Sequence, residues 1–200
     1  YFDNHAERAC ITALDMLDEL RYLQKKWRQK KVEGFQIGIG INTGKMIVGN
    51  LGSAQLFDYT VIGDEVNLGA RLENANKFYH TNIIISEATY QCVNGRAVAR
   101  MLDIVRVKGK TKPVRIYEML GVYSIPSQDK EVLVDTFAYA MELFHSRRWL
   151  LALKQFQKIL KYYPHDGPSR VYVRRCLDFL EKSPPDNWDG IFELTPVVNK

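Results

Sequence analysis

Apolar residues recur at three- and four-residue steps through Ala6, Ala9, Ala13, Met16, Leu17 and Leu20, which predicts a helix from about Asp3 to Gln29 with one buried stripe, ended by Gly34. The period then changes to two. Phe35, Ile37, Ile39 and Ile41 alternate with Gln36, Gly38, Gly40 and Asn42, the pattern of a strand with one face bare of side chains. Glycine weakens a strand unless something must come close, so a packed neighbour is expected over that face. Asn42-Thr43-Gly44-Lys45 reads as a hairpin turn into Met46 to Asn50, and a loop over Asn50 to Ala54 leads to the β-branched run Tyr59 to Ile62.

Asp64 follows as a helix N-cap candidate, with Leu68, Leu72, Ala75 and Tyr79 as the apolar stripe of a helix ending near Phe78. Ile83 to Ile85 reads as a buried strand, Ser86 opens a short helix through Tyr90, and Ala99 to Val107 with Val114 to Leu120 reads as an antiparallel pair. Strands and helices mixed in this way predict an α/β (α+β) sandwich with a largely antiparallel sheet. From Gly121 to Lys130 the composition shifts to Ser, Pro, Gln and Asp, a linker; beyond it the period is purely helical. The expected units are 1–121, a linker over 122–132, a small helical hairpin or extension over 133–183 and a tail over 184–200 lying against the surface through Trp188. Within the extension Ala152, Phe156 and Pro164 keep the spacing of a tetratricopeptide repeat's second helix. One repeat cannot bury a solenoid face alone, so it is expected to pack on the first unit or on a neighbouring chain.

Composition narrows the function classes. The chain has 200 residues, 46% of them hydrophobic, enough for a sizeable core. Its net charge of +5 comes from 28 basic residues interspersed with 23 acidic ones, dense only at Lys25 to Lys31 and Lys108 to Lys112, so nucleic acid is not the expected partner. The three cysteines, Cys10, Cys92 and Cys176, show no CxxC spacing, which argues against a disulfide framework or zinc site and for a reducing, cytoplasmic setting. No apolar run approaches the ~18 residues that cross a bilayer. Tyr1 opens inside a helical pattern without a methionine, so a piece of a longer polypeptide is expected.

The chemistry concentrates in Phe57 to Glu73, FDYTVIGDEVNLGARLE, where a β run turns into a helix displaying Asn67 and Arg71 one turn apart. An amide and a permanent cation on one face suit an anionic, ribose-bearing ligand. Each residue has a plainer reading. Asn67, three residues after Asp64, can cap the helix. Arg71 can pair with Glu73 or Asp58, Lys108 can be solvated in a basic loop, and Thr60 can be strand packing.

The same segment resembles the signature of the class III nucleotidyl cyclases, and the likeness runs from about His5 to about Leu120. The resemblance implies a ferredoxin-like cyclase sandwich that closes ATP or GTP into a cyclic monophosphate at a homodimer interface. It implies ribose orientation by Asn67, transition-state stabilisation by Arg71, triphosphate binding by Lys108 and base selection by Thr60. Two metal ions, Mg2+ or Mn2+, are implied as well, on two aspartates of a strand and hairpin that come before the first helix here. Asp58, Asp64 and Asp103 do not occupy that context. The 200 residues are therefore expected to supply one half of a composite site, to lack turnover alone and to lack a central strand pair. Thr60, whose hydroxyl can donate or accept, points to adenine and hence to ATP. The expected activity is adenylate cyclase; a guanylate cyclase and a non-catalytic nucleotide-sensing or dimerisation module are the alternatives.

Overall fold

The computed structural model describes residues 2–52, 57–93, 95–107, 112–122 and 128–194. Helix α1 (His5–Gln29) is followed by β1 (Ile39–Ile41), β2 (Ile47–Gly52), β3 (Phe57–Ile62), α2 (Asp64–Tyr79), β4 (Ile83–Ser86), α3 (Glu87–Cys92), β5 (Ala97–Val107) and β6 (Val114–Val122). Helices α4 (Gln128–His145), α5 (Trp149–Tyr162) and α6 (Gly167–Glu181) come next, and a short strand, β7 (Phe192–Leu194), closes the described chain.

The main sheet runs β1-β4-β6-β5-β7, with antiparallel pairs at its centre and the parallel pairs β1–β4 and β5–β7 at its flanks. Strands β2 and β3 form a separate antiparallel ribbon. The hairpin expected across Asn42 to Lys45 is therefore not formed: β1 enters the sheet beside β4, and β2 turns instead to β3. The strand expected from Phe35 shrinks to three residues, because only Ile39–Ile41 find a partner, opposite Ile83–Ile85.

The two sheet faces carry different helices. On one, Ala6, Cys10, Ala13 and Leu17 of α1 pack on Ile83, Ile85, Ala99 and Met119. The stripe read from sequence is shifted here, since Cys10 is buried whereas Ala9 and Met16 face outward. Burial pushes the Cys10 thiol up to about 11 and the Cys176 thiol up to about 12, so both behave as small core hydrophobes. On the other face Leu68, Leu72, Ala75 and Tyr79 of α2, the expected stripe, pack on Ile84, Leu102, Val105 and Ile116. Ile84 alternates with its two neighbours between these layers, as a strand buried on both faces must.

Gly40 sets the depth of that second layer. A Cβ there would run into the backbone of α2, at the carbonyl oxygen of Gly69 and the nitrogen of Glu73. The bare strand face is thus covered by a helix lying backbone to backbone upon it. Asn76, buried on α2, closes the contact by donating to the Ile39 carbonyl at 3.0 Å and accepting from the Thr81 hydroxyl at 2.9 Å.

The C-terminal helices build a third core around Phe137, Phe144, Phe156 and Tyr172, joined by Trp188 from the tail. Ala152 and Phe156 are fully buried in it. This core docks on the sheet's own molecule rather than standing apart. Arg100 of β5, 2% exposed, is held by Glu118 of β6 at 2.6 Å and by Asp166, the N-cap of α6, at 2.5 Å. The Tyr172 hydroxyl donates to the Leu102 carbonyl at 2.7 Å. Strand β7, which pairs with β5 through Val105 and Phe192, lies within the segment expected to be a tail.

Two predictions follow from this packing. Gly40→Ala should destabilise the fold by about 1–3 kcal/mol, since a methyl group is driven into helix backbone, while Gly49→Ala, where nothing lies within 4 Å, should stay within about 0.5 kcal/mol. The midpoint of urea unfolding measures both. The second concerns Glu118, whose carboxyl is raised above its ordinary 4.5 by burial and by nearby Asp166, against the pull of Arg100. A raised folded value means the native state holds the proton more tightly than the unfolded chain, so this contribution is present below 4.5 and is lost as pH rises through the folded value. Relative to Glu118→Gln, the wild type should therefore lose stability as pH rises from 4.5 through the raised folded value, by parallel urea melts.

Candidate functional site

Strand β3 carries Thr60, opposite Gly49 in the ribbon, and runs through Ile62 into the turn at Gly63. Gly63 has φ of 152°, a conformation that disfavours a side chain, and it is the N-cap of α2. Asp64, expected to cap the helix, is its first helical residue instead, and no side chain caps this end. Asp64 and Glu65 still place negative charge in the first turn, where the helix dipole favours it.

Two to three turns of α2 then present Asn67, exposed, and Arg71, half-buried, beside the buried stripe of Leu68 and Leu72. Thr60 is exposed on β3. Among the described residues none of these three side chains makes a hydrogen bond or an ion pair with the rest of the chain. Asn67 does not reach back to the helix start, Arg71 does not pair with Glu73 or Asp58, and Thr60 is not core packing. Lys108 lies outside the described residues.

The residues that hold this segment in place were not legible beforehand. Asn42, at the end of β1, donates through Nδ2 to both the carbonyl and the carboxylate of Glu65, at 2.9 and 2.7 Å, so the first turn of α2 is tied to the sheet. Gly44 lies so close to the Glu65 side chain that a Cβ would overlap it. Thr89 donates to the Ile41 carbonyl at 3.3 Å and meets the Thr43 hydroxyl at 3.0 Å, fixing the chain as it leaves β1. Only the glycines at 38 and 40 signalled this framework in the sequence; a polar Asn42 after a strand has many other uses.

Next to the site the β2–β3 ribbon exposes apolar side chains on both faces, with Ile47 68% and Tyr59 76% accessible alongside Val48 and Ile62. A contiguous exposed apolar surface of this kind marks an interaction surface. For divalent metal the described residues do not fit: no group of three or more His, Cys, Asp or Glu is gathered among them. Asp58 and Asp64 are isolated on the surface, and Asp103 is buried and occupied by Tyr79 and Arg175. What the segment offers is a neutral amide fork, a guanidinium and a hydroxyl, all with unspent hydrogen-bonding capacity, around the strand–helix turn.

The family model for the adenylate and guanylate cyclase catalytic domain matches residues 2–121, and the chain belongs to that family, the class III nucleotidyl cyclases. "Adenylate cyclase, terminal-differentiation specific" of Dictyostelium discoideum is 34% identical over 184 residues, covering 88% of this chain. A match of that extent runs past residue 121 into the helical extension. "Adenylate cyclase 1" of Rhizobium meliloti (strain 1021) is 35% identical over 118 residues, 59% of the chain. The chain spans only 8% and 18% of the lengths of these two relatives. Among solved structures, that of the guanylyl cyclase Cya2 matches with 34% identity and a TM-score of 0.50 over 58% of each chain. Among the described residues no helix is long and apolar enough to cross a membrane.

Because Asn67 makes no capping bond, Asn67→Ala should change unfolding free energy by less than about 0.5 kcal/mol, where loss of a working cap costs about 1 kcal/mol. Thermal unfolding of the two proteins checks this.

Proposed function

We propose that this chain is part of an adenylate cyclase that converts ATP to 3′,5′-cyclic AMP and pyrophosphate at a homodimer interface, and that it supplies the ribose and transition-state half of each site. The observation that carries the reading is the pair Asn67 and Arg71, one turn apart on α2, with no partner among the described residues to satisfy them.

The reaction needs the ribose 3′ oxygen held in line with the α-phosphorus and needs the charge on the phosphates offset as the bond to pyrophosphate breaks. The Asn67 amide, able to donate and accept, orients the ribose ring. The Arg71 guanidinium, a fixed donor, meets the negative charge that develops on the transferring phosphorus oxygens. Thr60 contacts the base edge, and Lys108 binds the triphosphate. Mg2+ or Mn2+ belongs to the reading through family membership. The described residues do not provide its ligands. The exposed ribbon β2–β3, apolar on both sides, supports pairing of two copies, which a composite site requires.

In the native full-length protein, Arg71→Ala should lower kcat for cyclic AMP formation by about 10²–10³-fold, the usual loss for a donor aimed at transition-state charge. An unchanged rate removes Arg71 from the mechanism. Turnover of GTP above that of ATP in the same assay would replace the adenylate assignment with guanylate, and loss of both activities in the wild type would favour the non-catalytic module.

A further inference from the structure

The helical extension reaches the far end of the helix that carries the site. Tyr79 is the last residue of α2, fully buried, and its hydroxyl donates to the Asp103 carboxylate of β5 at 2.7 Å. Arg175 of α6 donates to the same carboxylate at 2.5 Å and approaches the Tyr79 hydroxyl at 3.4 Å. The second oxygen of Asp103 accepts from the Ile104 amide at 2.8 Å. Around this cluster Phe78 stacks on Phe192 with ring centroids 5.0 Å apart, and the Arg175 guanidinium lies 3.9 Å from the Phe192 ring. Gly167, at the start of α6, sits against the Tyr79 and His80 backbone so closely that it has no room for a Cβ.

We propose that the Tyr79–Asp103–Arg175 cluster is a positioning device, through which the helical extension fixes the rotation of α2 and thereby the placement of Asn67 and Arg71. The inference rests on the cyclase reading of those two residues. Its logic is mechanical. The contact at Gly40 sets how deeply α2 lies on the sheet, the Leu68, Leu72 and Ala75 stripe sets which face is turned inward, and the Asn76–Ile39 and Asn42–Glu65 bonds tie it to β1, but packing of this kind still leaves a helix several degrees of roll about its axis. An off-axis side chain anchored in a buried charge cluster removes that freedom. Functional groups at a helix surface lie about 5–6 Å from the axis, so a roll of about 10° moves the Arg71 head by roughly 1 Å. Displacements of that size, arising far from the reacting atoms, cost up to about 10²-fold in rate.

The cluster is also tightly made. Burial works against the Arg175 charge, yet Tyr172, Asp103 and Tyr79 hold it above the usual arginine value, and burial with the Asp103 charge raises Tyr79 well above the ordinary phenol. The tyrosine therefore stays a neutral donor and the arginine a cation at any physiological pH.

The test is Tyr79→Phe in the native full-length protein, which keeps the ring and removes only the hydroxyl, with Asp103→Asn as a second variant of unchanged shape. Each is compared with the wild type per folded molecule, using melting curves to set the assay temperature. The expected result is a fall in kcat of on the order of tenfold with KM for ATP within about twofold, because Thr60 and Lys108 lie off α2. In an Arg71→Ala background the Tyr79→Phe penalty should shrink, leaving only the part carried through Asn67, since one of the two positioned groups is gone. Equal kcat for wild type and both variants, or a Tyr79→Phe penalty undiminished without Arg71, overturns the positioning role while leaving the cyclase reading intact. A silent Arg71→Ala overturns both.

Discussion

The structure depends on one close approach, the crossing of α2 over β1 at Gly40. Helix and strand backbones meet there without an intervening side chain, and every element of the candidate site is placed relative to that crossing. A helix normally stands about 10 Å from the sheet it covers because side chains fill the gap. With the gap closed at one point, Leu68, Leu72 and Ala75 on α2 drop into contact with Ile84, Leu102 and Ile116, and Asn76 comes within reach of the Ile39 carbonyl. The polar face of α2 is thereby turned away from the sheet, and Asn67 and Arg71 are left without partners among the described residues.

Charge at the seam between the sheet and the C-terminal helices obeys a different constraint. Arg100 and Arg175 are both largely out of water, and each is matched by carboxylates from a different element: Glu118 and Asp166 for the first, Asp103 for the second. Buried ion pairs contribute little net stability against apolar replacements, but leaving one partner unpaired is severely unfavourable. They therefore specify which surfaces meet. The three helices cannot slide along the sheet or dock one turn away without stranding a buried charge, so the extension behaves as part of the cyclase unit. The reach of the Dictyostelium relative's match, 88% of this chain, fits a unit that includes the helices.

Much of this was legible in the sequence, and the failures have physical causes. The α2 stripe, the buried run Ile83 to Ile85, the Ser86 cap and the β5–β6 pair all announce themselves by period and local chemistry. The glycines at 38 and 40 foretold a close neighbour. What could not be read was pairing choice. Asn42 to Lys45 has the composition of a hairpin turn, but β1 gains more by entering a buried sheet beside β4 than by zipping to β2, whose residues stay largely exposed. Likewise β7 is three residues with no pattern of its own, created by the sheet edge it joins. The candidate site residues were named from an amide and a cation one turn apart and from the resemblance to a family motif; the supports, Asn42, Asn76, Tyr79 and Asp103, have no local signature because the partners that tie them to other elements lie 23 or more residues away.

Seen from α2, the two ends of one helix are treated in opposite ways. Its C-terminal residue is locked into a buried cluster, and its crossing point is fixed by backbone contact. Its N-terminal turn, though tied to the end of β1 through the Asn42–Glu65 bonds, begins at a glycine with no side-chain cap and continues directly from a ribbon that buries little of its own apolar surface. A ribbon of two strands has marginal stability alone, and Ile47, Val48, Tyr59 and Ile62 can be buried only against something outside the described fold. The proposed site between two copies of the chain fits this asymmetry: the residues proposed to act are aimed from inside, while the apolar surface beside them is left for a partner.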